Sequence, residues 1–256
     1  MNSPALLQDK VAIVTGAARG LGEAVARAYA DEGARVVVSD IDVDGARRVA
    51  GSLPGAIAVG CDVRVPEQVE ALVAAAVARH GRLDIMVPNA GVARVAPLTE
   101  TSYEQWREVT SVNLDGVFLC LRYAAPAIIA AGGGHIIPMA SVTAKAACAL
   151  IGSYAAAKAG VMSLVQTAAI ELRAHKVQVN AILPGFIDTD LVKAHRAEFE
   201  QLLGIPDFNA VIAQRQGRYG TPAEVAQLAV FLASGRASFS NGSGFVLDGG
   251  VSSSLL

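Results

Sequence analysis

The sequence predicts an α/β protein built on a doubly wound parallel sheet of about seven strands, with helices on both faces. Apolar runs of strand length alternate with alanine-rich stretches of helical composition. The strand runs are continuously apolar, which is typical of a parallel sheet covered on both faces. Hydrophobic residues make up 53% of the 256 positions and charged residues 17%, so the chain must bury a core. Ligands of such sheets bind beyond the carboxyl ends of the strands, where we expect the functional residues.

The predicted elements follow one another as strand and helix along one domain, residues 1–256. Strands are expected at residues 11–15, 35–40, 56–61, 83–87, 135–140, 177–183 and 244–248. Helices are expected at residues 21–31, 42–52, 67–80, 102–131, 153–174 and 222–233. Right-handed crossovers would wind these units into one sheet. Only the segment 186–220 interrupts the alternation at length.

The charge balance argues against a nucleic-acid partner. The net charge is −2, from 21 basic and 23 acidic residues, and no basic cluster occurs. Residues 123–144 carry no Lys, Arg, Asp or Glu and reach the length of a membrane span. Pro126, Pro138 and the glycines at 132–134 would break a helix there, so we expect no membrane partner.

The cysteines indicate a reducing compartment. Cys61, Cys120 and Cys148 have no repeated spacing, which favours free thiols over a disulfide framework and predicts a cytoplasmic protein. The histidines show no metal-ligand spacing to one another or to the cysteines. We therefore expect no metal site.

The first predicted loop has the glycine pattern of a dinucleotide site. Gly16 permits a turn at the strand end, Gly20 lets the backbone approach a diphosphate, and Gly22 lets the next helix pack on the sheet. The free N–H groups of that helix would face the phosphates. The spacing alone fits a plain tight turn equally well. The strand before it and the helix after it favour the dinucleotide.

Asp40 ends the second predicted strand, eighteen positions after Gly22. Its carboxylate can accept hydrogen bonds from the adenosine ribose, which favours NAD. The 2′-phosphate of NADP would be repelled by this carboxylate, by about 4 kcal/mol for each pair of unit charges 4 Å apart. Arg19 is the one nearby cation, and Ile41 stands where an arginine would have helped a phosphate. Asp40 could instead cap the next helix, but Asp42 fits that role better.

Tyr154 and Lys158 lie four residues apart in a helical stretch, so they share one face. Lowering a phenol pKa from about 10 to about 7 needs roughly 4 kcal/mol. A desolvated Lys158 and an oxidised nicotinamide could together supply it, making a tyrosinate that acts as a general base. Ser141, at the end of the fifth predicted strand, could hold a substrate oxygen beside the phenol.

Taken together, these motifs resemble the short-chain dehydrogenase/reductase family, in the subfamily whose chains have about this length. The resemblance runs from residue 10 to the C-terminus. Its motifs, in order, are T-G-x-x-x-G-x-G at 15–22, N-A-G at 89–91, Asn113, Ser141, Y-x-x-x-K at 154–158, P-G at 184–185 and D-G-G at 248–250.

This resemblance implies a Rossmann fold and a role for each matching position. Tyr154 would donate or accept the proton, Ser141 would orient the substrate, and Lys158 would bind ribose and lower the phenol pKa. Asn113 would hold a water in a proton relay. The implied cofactor contacts, which also include Tyr154 and Lys158, are Gly16, Arg19, Gly20, Leu21, Gly22, Asp40, Ile41, Asp62, Val63, Asn89, Ala90, Gly91, Pro184, Gly185, Ile187 and Thr189.

The sequence departs from the family pattern at two prolines. Pro88 stands where the family commonly has an asparagine before N-A-G, and Pro138 interrupts the strand that leads to Ser141. Because proline cannot donate to a ladder, each is expected to alter strand pairing locally. Neither replaces a reacting group.

The resemblance implies an NAD(H)-dependent enzyme that interconverts a small secondary alcohol and a ketone, as a homotetramer. The main alternative is an NADP-dependent 3-oxoacyl thioester (acyl-carrier-protein) reductase, and a further one is a dinucleotide-sensing regulator without turnover. The segment 186–220 resembles the family's substrate lid. Its apolar residues could cover a substrate or merely pack helices: Leu191, Phe199, Leu202, Leu203, Ile205, Phe208 and Val211. Its cations and Arg94 could bind an anionic substrate group or lie solvated: Lys193, His195, Arg196 and Arg215.

Overall fold

A six-stranded parallel sheet forms the centre of the protein, in a computed structural model that describes residues 5–253. The strands are β1 (Val11–Thr15), β2 (Arg35–Asp40), β3 (Ile57–Gly60), β4 (Ile85–Val87), β5 (Gly134–Ile136), β6 (Val177–Val179), β7 (Ala181–Pro184) and β8 (Gly244–Leu247). The sheet order is β3-β2-β1-β4-β5-β6, and β7 and β8 form a parallel pair. The order reverses between β1 and β4, which is where a doubly wound sheet opens its ligand crevice.

Helices cover both faces of this sheet, as predicted. They are α1 (Gly20–Asp31), α2 (Val43–Gly51), α3 (Pro66–His80), α4 (Tyr103–Thr110), α5 (Gly116–Ala130), α6 (Gly152–Leu172), α7 (Asp190–Leu203), α8 (Phe208–Gln216) and α9 (Pro222–Ala233). Apolar residues of α1, α2 and α9 form one core cluster, and those of α3, α5 and α6 form another. All five residues of β1 are buried between these two layers. The α/β fold class is thus confirmed.

The strand count differs from the prediction at Pro138 and Asn180. The predicted strand 135–140 ends at Ile136, because Pro138 has no N–H to donate. The predicted strand 177–183 is split into β6 and β7 at Asn180, whose side chain bonds Ser240 O and Ser243 N. An isolated bridge between Met139 and Ile182 still links the β7–β8 pair to the sheet. The central sheet therefore has six strands instead of about seven.

One long helix, Tyr103–Ala130, lies within the predicted helical stretch 102–131 and includes a π-helical turn at Ser111–Asp115. Asn113 explains that turn, because its Nδ2 donates to Val109 O at 2.9 Å. In an α-helix that carbonyl would accept from the backbone N–H of residue 113, so the side chain competes for it. By length and hydropathy the helix could cross a membrane, but core helices pass the same test. Its α5 part packs in the core cluster of α3 and α6.

The segment 186–220 contains the helices α7 and α8. Phe199 of α7 stacks on Phe208 of α8, with ring centroids 5.1 Å apart. Both are buried, together with Ile212 and Ile151, in a small apolar cluster separate from the main core. Leu202 and Leu203 are exposed instead. The segment therefore forms a small helical subdomain above the β7–β8 pair.

Candidate active site

A cleft of about 390 Å³ lies at the carboxyl ends of the strands. With one exception, every residue that the family resemblance implied for the cofactor and for catalysis lines it. The exception is Gly22, which lies behind the turn, against the carbonyl of Gly16. Sequence reasoning missed nine other residues of the cleft wall: Cys61, Arg64, Val92, Glu108, Val112, Met139, Ala140, Asp190 and Val192. Leu191, which was expected to cover a substrate, also lines the cleft.

The glycine turn forms a cradle that fits a diphosphate. Gly16 has a φ of +64°, and a Cβ there would lie 2.7 Å from the Cα of Ala90. Gly20 has a φ of +60°, a left-handed backbone that also favours glycine. Arg19, the N-cap residue of α1, makes no side-chain capping bond. The first N–H groups of α1 therefore remain available to an anion in the cleft.

Backbone N–H groups hold the Asp40 carboxylate at the edge of this cleft. Ala18 N donates to Oδ2 at 3.0 Å, and Asp42 N donates to Oδ1 at 2.9 Å. Asp42, as expected, caps α2 by accepting from Gly45 N. Ile41 is 65% exposed beside Asp40. The carboxylate thus faces the cleft in one orientation, with its remaining lone pairs available to hydroxyl donors.

The loop after β4 is supported despite Pro88. Asn89 Nδ2 donates to Thr15 O at 2.9 Å, and Asn89 N donates to Thr15 Oγ1 at 3.0 Å. The Pro88 carbonyl accepts from Met139 N at 2.9 Å, so pairing continues beyond β4. Asp62, across the cleft, is fixed by a two-pronged ion pair with Arg64, which lowers the pKa of its carboxyl group.

Ser141, Tyr154 and Lys158 come together on the cleft wall. Ser141 follows the end of β5, and its Oγ accepts from Thr143 N at 3.2 Å. Tyr154 and Lys158 lie one turn apart on α6. The Nζ of Lys158 is buried, donates to Met139 O at 2.7 Å and lies 5.4 Å from the centroid of the Tyr154 ring. A hydroxyl, a phenol and a buried ammonium therefore share one surface of the cleft.

The phenol pKa of Tyr154 is raised in the protein without a dinucleotide. Desolvation by burial raises the phenol pKa to about 12, and the Ser141 hydroxyl acts weakly in the opposite direction. Burial also lowers the pKa of Lys158 to about 8. The phenol pKa of about 7 was expected with an oxidised nicotinamide bound beside Lys158, and it stays a prediction for that complex. The ammonium bonds a backbone carbonyl and approaches the ring, so burial of the phenol outweighs its field.

Asn113 presents a buried oxygen without a protein partner. Its Nδ2 donates to Val92 O at 2.8 Å and to Val109 O, which fixes the amide group. Its Oδ1 is inaccessible and unbonded among residues 5–253. A Cβ on Gly91 would lie 2.8 Å from this oxygen, so glycine is required there. An acceptor held in this way fits the water-binding role that the family resemblance implied.

A second cavity, of about 260 Å³, adjoins the cleft. Five residues line both spaces: Ser141, Tyr154, Gly185, Leu191 and Val192. The rest of its wall is mainly apolar and includes Ile151, Phe186 and Phe199. The apolar residues of 186–220 thus divide between two functions: Leu191 and Phe199 face the cavity, while Phe208 packs helices.

Gln216, which sequence reasoning missed, ties the segment 186–220 to the cavity wall. Its Oε1 accepts from Phe186 N and its Nε2 donates to Phe186 O, both at 2.8 Å. Asp248 folds the C-terminal turn beside it by accepting from Gly250 N and Ser252 N. Ser252 consequently lines the cavity. The bonds between Gln216 and Phe186 join residues 30 positions apart, so no local sequence pattern predicts them.

Two of the cations considered for anion binding are already paired. Arg94 forms a two-pronged ion pair with Glu108, and Lys193 pairs with Asp188 at 2.8 Å. His195 differs, because its ring lines the second cavity. No cluster of His, Cys, Asp or Glu suited to a metal ion occurs in the part of the chain between residues 5 and 253.

The chain is similar in sequence and in fold to known proteins. A family model described as enoyl-(acyl carrier protein) reductase matches residues 16–252. The chain is 42% identical over 250 residues to cis-4-hydroxycyclohexanecarboxylate dehydrogenase of Sinomonas cyclohexanicum, covering 94% of this chain and 96% of the relative. It is 39% identical to cyclohexanol dehydrogenase of Acinetobacter sp., covering 96% of both. A crystal structure of a short-chain type dehydrogenase/reductase from Mycobacterium marinum superposes with a TM-score of 0.88 at 34% identity, covering 97% of each chain.

Proposed function

The chain belongs to the short-chain dehydrogenase/reductase family, whose members bind a nicotinamide dinucleotide, and we propose that it interconverts a secondary alcohol and a ketone with NAD(H). One observation carries the proposal: Ser141 and Tyr154 lie where the cleft meets the second cavity. A substrate in the cavity would then present its reacting carbon to a dinucleotide in the cleft. By their names, two relatives oxidise hydroxyl groups on six-membered rings. This similarity favours the interconversion of a secondary alcohol and a ketone.

In this proposal the chain positions the substrate oxygen and moves one proton. The bound nicotinamide supplies or accepts the hydride. Ser141 Oγ orients the carbonyl or hydroxyl oxygen, and Tyr154 Oη exchanges the proton with it. Lys158 holds its charge beside the phenol and, through its remaining N–H groups, would bind ribose hydroxyls. Asn113 Oδ1 would hold a water that relays the proton to solvent.

The raised phenol pKa predicts different pH dependence in the two directions. Near pH 7 Tyr154 is protonated, so it is ready to donate in ketone reduction. Alcohol oxidation needs the phenolate, and lowering its pKa from about 12 to about 7 would require roughly 7 kcal/mol. Lys158 and the oxidised ring would supply part of this. We therefore expect oxidation to accelerate from pH 7 to pH 10 while reduction does not.

Asp40 supports the preference for NAD. Its carboxylate is fixed by two backbone donors at the edge of the cleft, and Ile41 beside it offers no charge to a 2′-phosphate. The same feature disfavours the NADP-dependent 3-oxoacyl thioester reductase that the sequence left open. The intact Ser141, Tyr154 and Lys158 disfavour a regulator without turnover.

The proposal is tested by Tyr154→Phe, with a panel of secondary alcohols and ketones and both dinucleotides. We expect the variant to bind NADH as the wild type does and to lose turnover, because the phenylalanine ring keeps the packing but carries no proton. Turnover is followed by the ultraviolet absorbance of the reduced nicotinamide, and binding by its fluorescence. Unchanged activity in the variant would reject Tyr154 as the proton carrier.

Three further expectations remain part of the proposal. The chain would act as one domain, with 186–220 as the substrate lid, and would lie in the cytoplasm with Cys61 and Cys120 as free thiols. It would assemble as a homotetramer. Exposed apolar side chains on α6, α9, β8 and the preceding loop favour such contacts: Ile170, Phe231, Val246 and Phe239. Light scattering of the purified protein would measure the mass.

A further inference from the structure

Two polar side-chain groups in the wall of the second cavity form no hydrogen bond with residues 5–253: Thr143 Oγ1 and His195 Nε2. Thr143 lies beside the reacting end, because its backbone N–H donates to Ser141 Oγ. The Ser252 hydroxyl donates to Asp248, and the Cys148 thiol donates to the carbonyl of Ala149. The Ser141 hydroxyl lies at the junction with the cleft, where the reacting oxygen would bind. His195 lines only the second cavity, away from that junction. Its Nε2 makes no hydrogen bond with the described residues, 5–253.

Glu198 fixes the His195 ring. Nδ1 of the imidazole lies 2.6 Å from Glu198 Oε2, one turn along α7. A carboxylate can only accept, so Nδ1 carries the proton. In the neutral ring Nε2 is then an acceptor, and in the imidazolium it is a donor. The His195 side chain is only 15% exposed, so the ring presents this nitrogen within a mostly buried setting.

On the basis of the proposed function, we propose that His195 Nε2 binds a second hydroxyl group of the substrate. The substrate class would be compact secondary diols, in which an apolar carbon skeleton separates the reacting carbinol at Ser141 and Tyr154 from a hydroxyl at His195. At roughly 30 Å³ per water-sized group, the cavity has room for about nine heavy atoms. The mainly apolar wall would contact the carbon skeleton.

A hydroxyl fits this position better than a carboxylate. A hydroxyl donates to the neutral imidazole and accepts from the imidazolium, so it is bound in either state. A carboxylate could pair only with the imidazolium, and the Glu198 carboxylate already balances that charge. The neighbouring Arg94 does not add a free positive charge, because it is paired with Glu108. A diol therefore fits the cavity: one hydroxyl at Ser141 and Tyr154, the other at His195, and the carbon skeleton against the apolar wall.

The test compares cyclohexanol with cis- and trans-1,4-cyclohexanediol, using whichever dinucleotide supports turnover. For the wild type we expect kcat/KM for the better diol, corrected for its two equivalent hydroxyls, to exceed that for cyclohexanol by about tenfold. His195→Leu should bring this ratio close to one. His195→Gln, which keeps a hydrogen-bonding group, should restore part of it. Glu198→Ala should reduce it, because the ring loses its orienting partner.

His175→Leu is the matched control, since His175 is exposed in the turn after α6, at the end of that helix away from Tyr154, and lines neither the cleft nor the cavity. We expect it to keep the wild-type ratio. A wild-type ratio of one, or the same ratio in His195→Leu, would overturn the inference while leaving the proposed function intact. A higher kcat/KM for 4-hydroxycyclohexanecarboxylate than for the diols would assign His195 to an anion and overturn it too. Absence of turnover with every alcohol and both dinucleotides would reject the proposed function itself.

Discussion

The cleft proposed for the dinucleotide and the cavity proposed for the substrate meet at Tyr154, but the chain builds them in different ways. The cleft depends on short motifs at strand ends, such as Gly16 and Gly20 in one turn and Asp40 after the next strand. The cavity depends on contacts between distant segments, such as Gln216 with Phe186. The first region is therefore encoded locally and is tied to backbone geometry. The second is encoded by tertiary packing, which leaves its side chains free to set specificity.

The largest expected effect is that of Gly16→Ala on dinucleotide binding. The new Cβ would lie 2.7 Å from the Cα of Ala90 and would require a positive φ, so the phosphate cradle must shift. We expect the affinity for NADH to fall at least 100-fold, measured by fluorescence titration. Gly55→Ala is the matched control, because Gly55 has a φ of +66° and nothing within 4 Å of an added Cβ. It should cost about 1 kcal/mol of stability and leave affinity unchanged.

This comparison would break down if Gly55→Ala weakened NADH binding as much as Gly16→Ala. The cause would then be general destabilisation, and the cleft would not depend on its local backbone.

Asp40→Asn should change cofactor preference next most strongly. The amide keeps an acceptor for the ribose hydroxyls and removes the charge that repels a 2′-phosphate. Because Asp40 is partly exposed, solvent screens the repulsion, and we expect the NAD-over-NADP ratio of kcat/KM to fall about tenfold. Asp44→Asn is the control, since Asp44 is exposed and pairs with Arg47 away from the cleft. A wild type that uses both dinucleotides equally would contradict the assignment of Asp40.

The same contrast explains what the sequence could predict. Tyr154, Lys158 and Ser141 fall in a recognisable pattern, and the structure brings them together. Gln216 and His195 acquire their positions only when α7 and α8 fold over the sheet. The direction of the Tyr154 pKa shift in the protein without a dinucleotide could not be predicted from the sequence either, because it depends on how deeply the phenol is buried. The predicted strand 135–140 was too long for a local reason, because it continued through Pro138, which has no N–H to donate to the ladder.

Gln216→Ala should affect the substrate side alone. It leaves the N–H and C=O groups of Phe186 without their partners, so this aromatic wall of the cavity loses its fixed position. We expect KM for the alcohol to rise about fivefold, with a smaller change in kcat and none in NADH affinity. Gln214→Ala is the matched control, because Gln214 is exposed on the same helix. Equal losses of substrate and NADH binding would show that Gln216 supports both regions and that the two are not separable.

The last expected effect concerns the stability of the sheet that both regions share. His135 lies on β5 with its Nδ1 buried and unbonded, and burial lowers its pKa to about 4, with Lys10 adding to the shift and Asp84 opposing it. The unfolded chain binds this proton near pH 6.5, so stability is complete above that pH and is lost as the pH falls toward 4. Between pH 7 and pH 5 we expect a loss of about 2 kcal/mol in the free energy of unfolding, measured by urea titration. His135→Gln should remove most of this pH dependence, and His80, whose pKa burial also lowers, should account for the remainder. His175→Gln, at an exposed position, should retain it. The cleft and the cavity should lose their ligands in the same acid transition, because both depend on the sheet that contains β5. Two separate transitions would instead show that the two regions unfold independently.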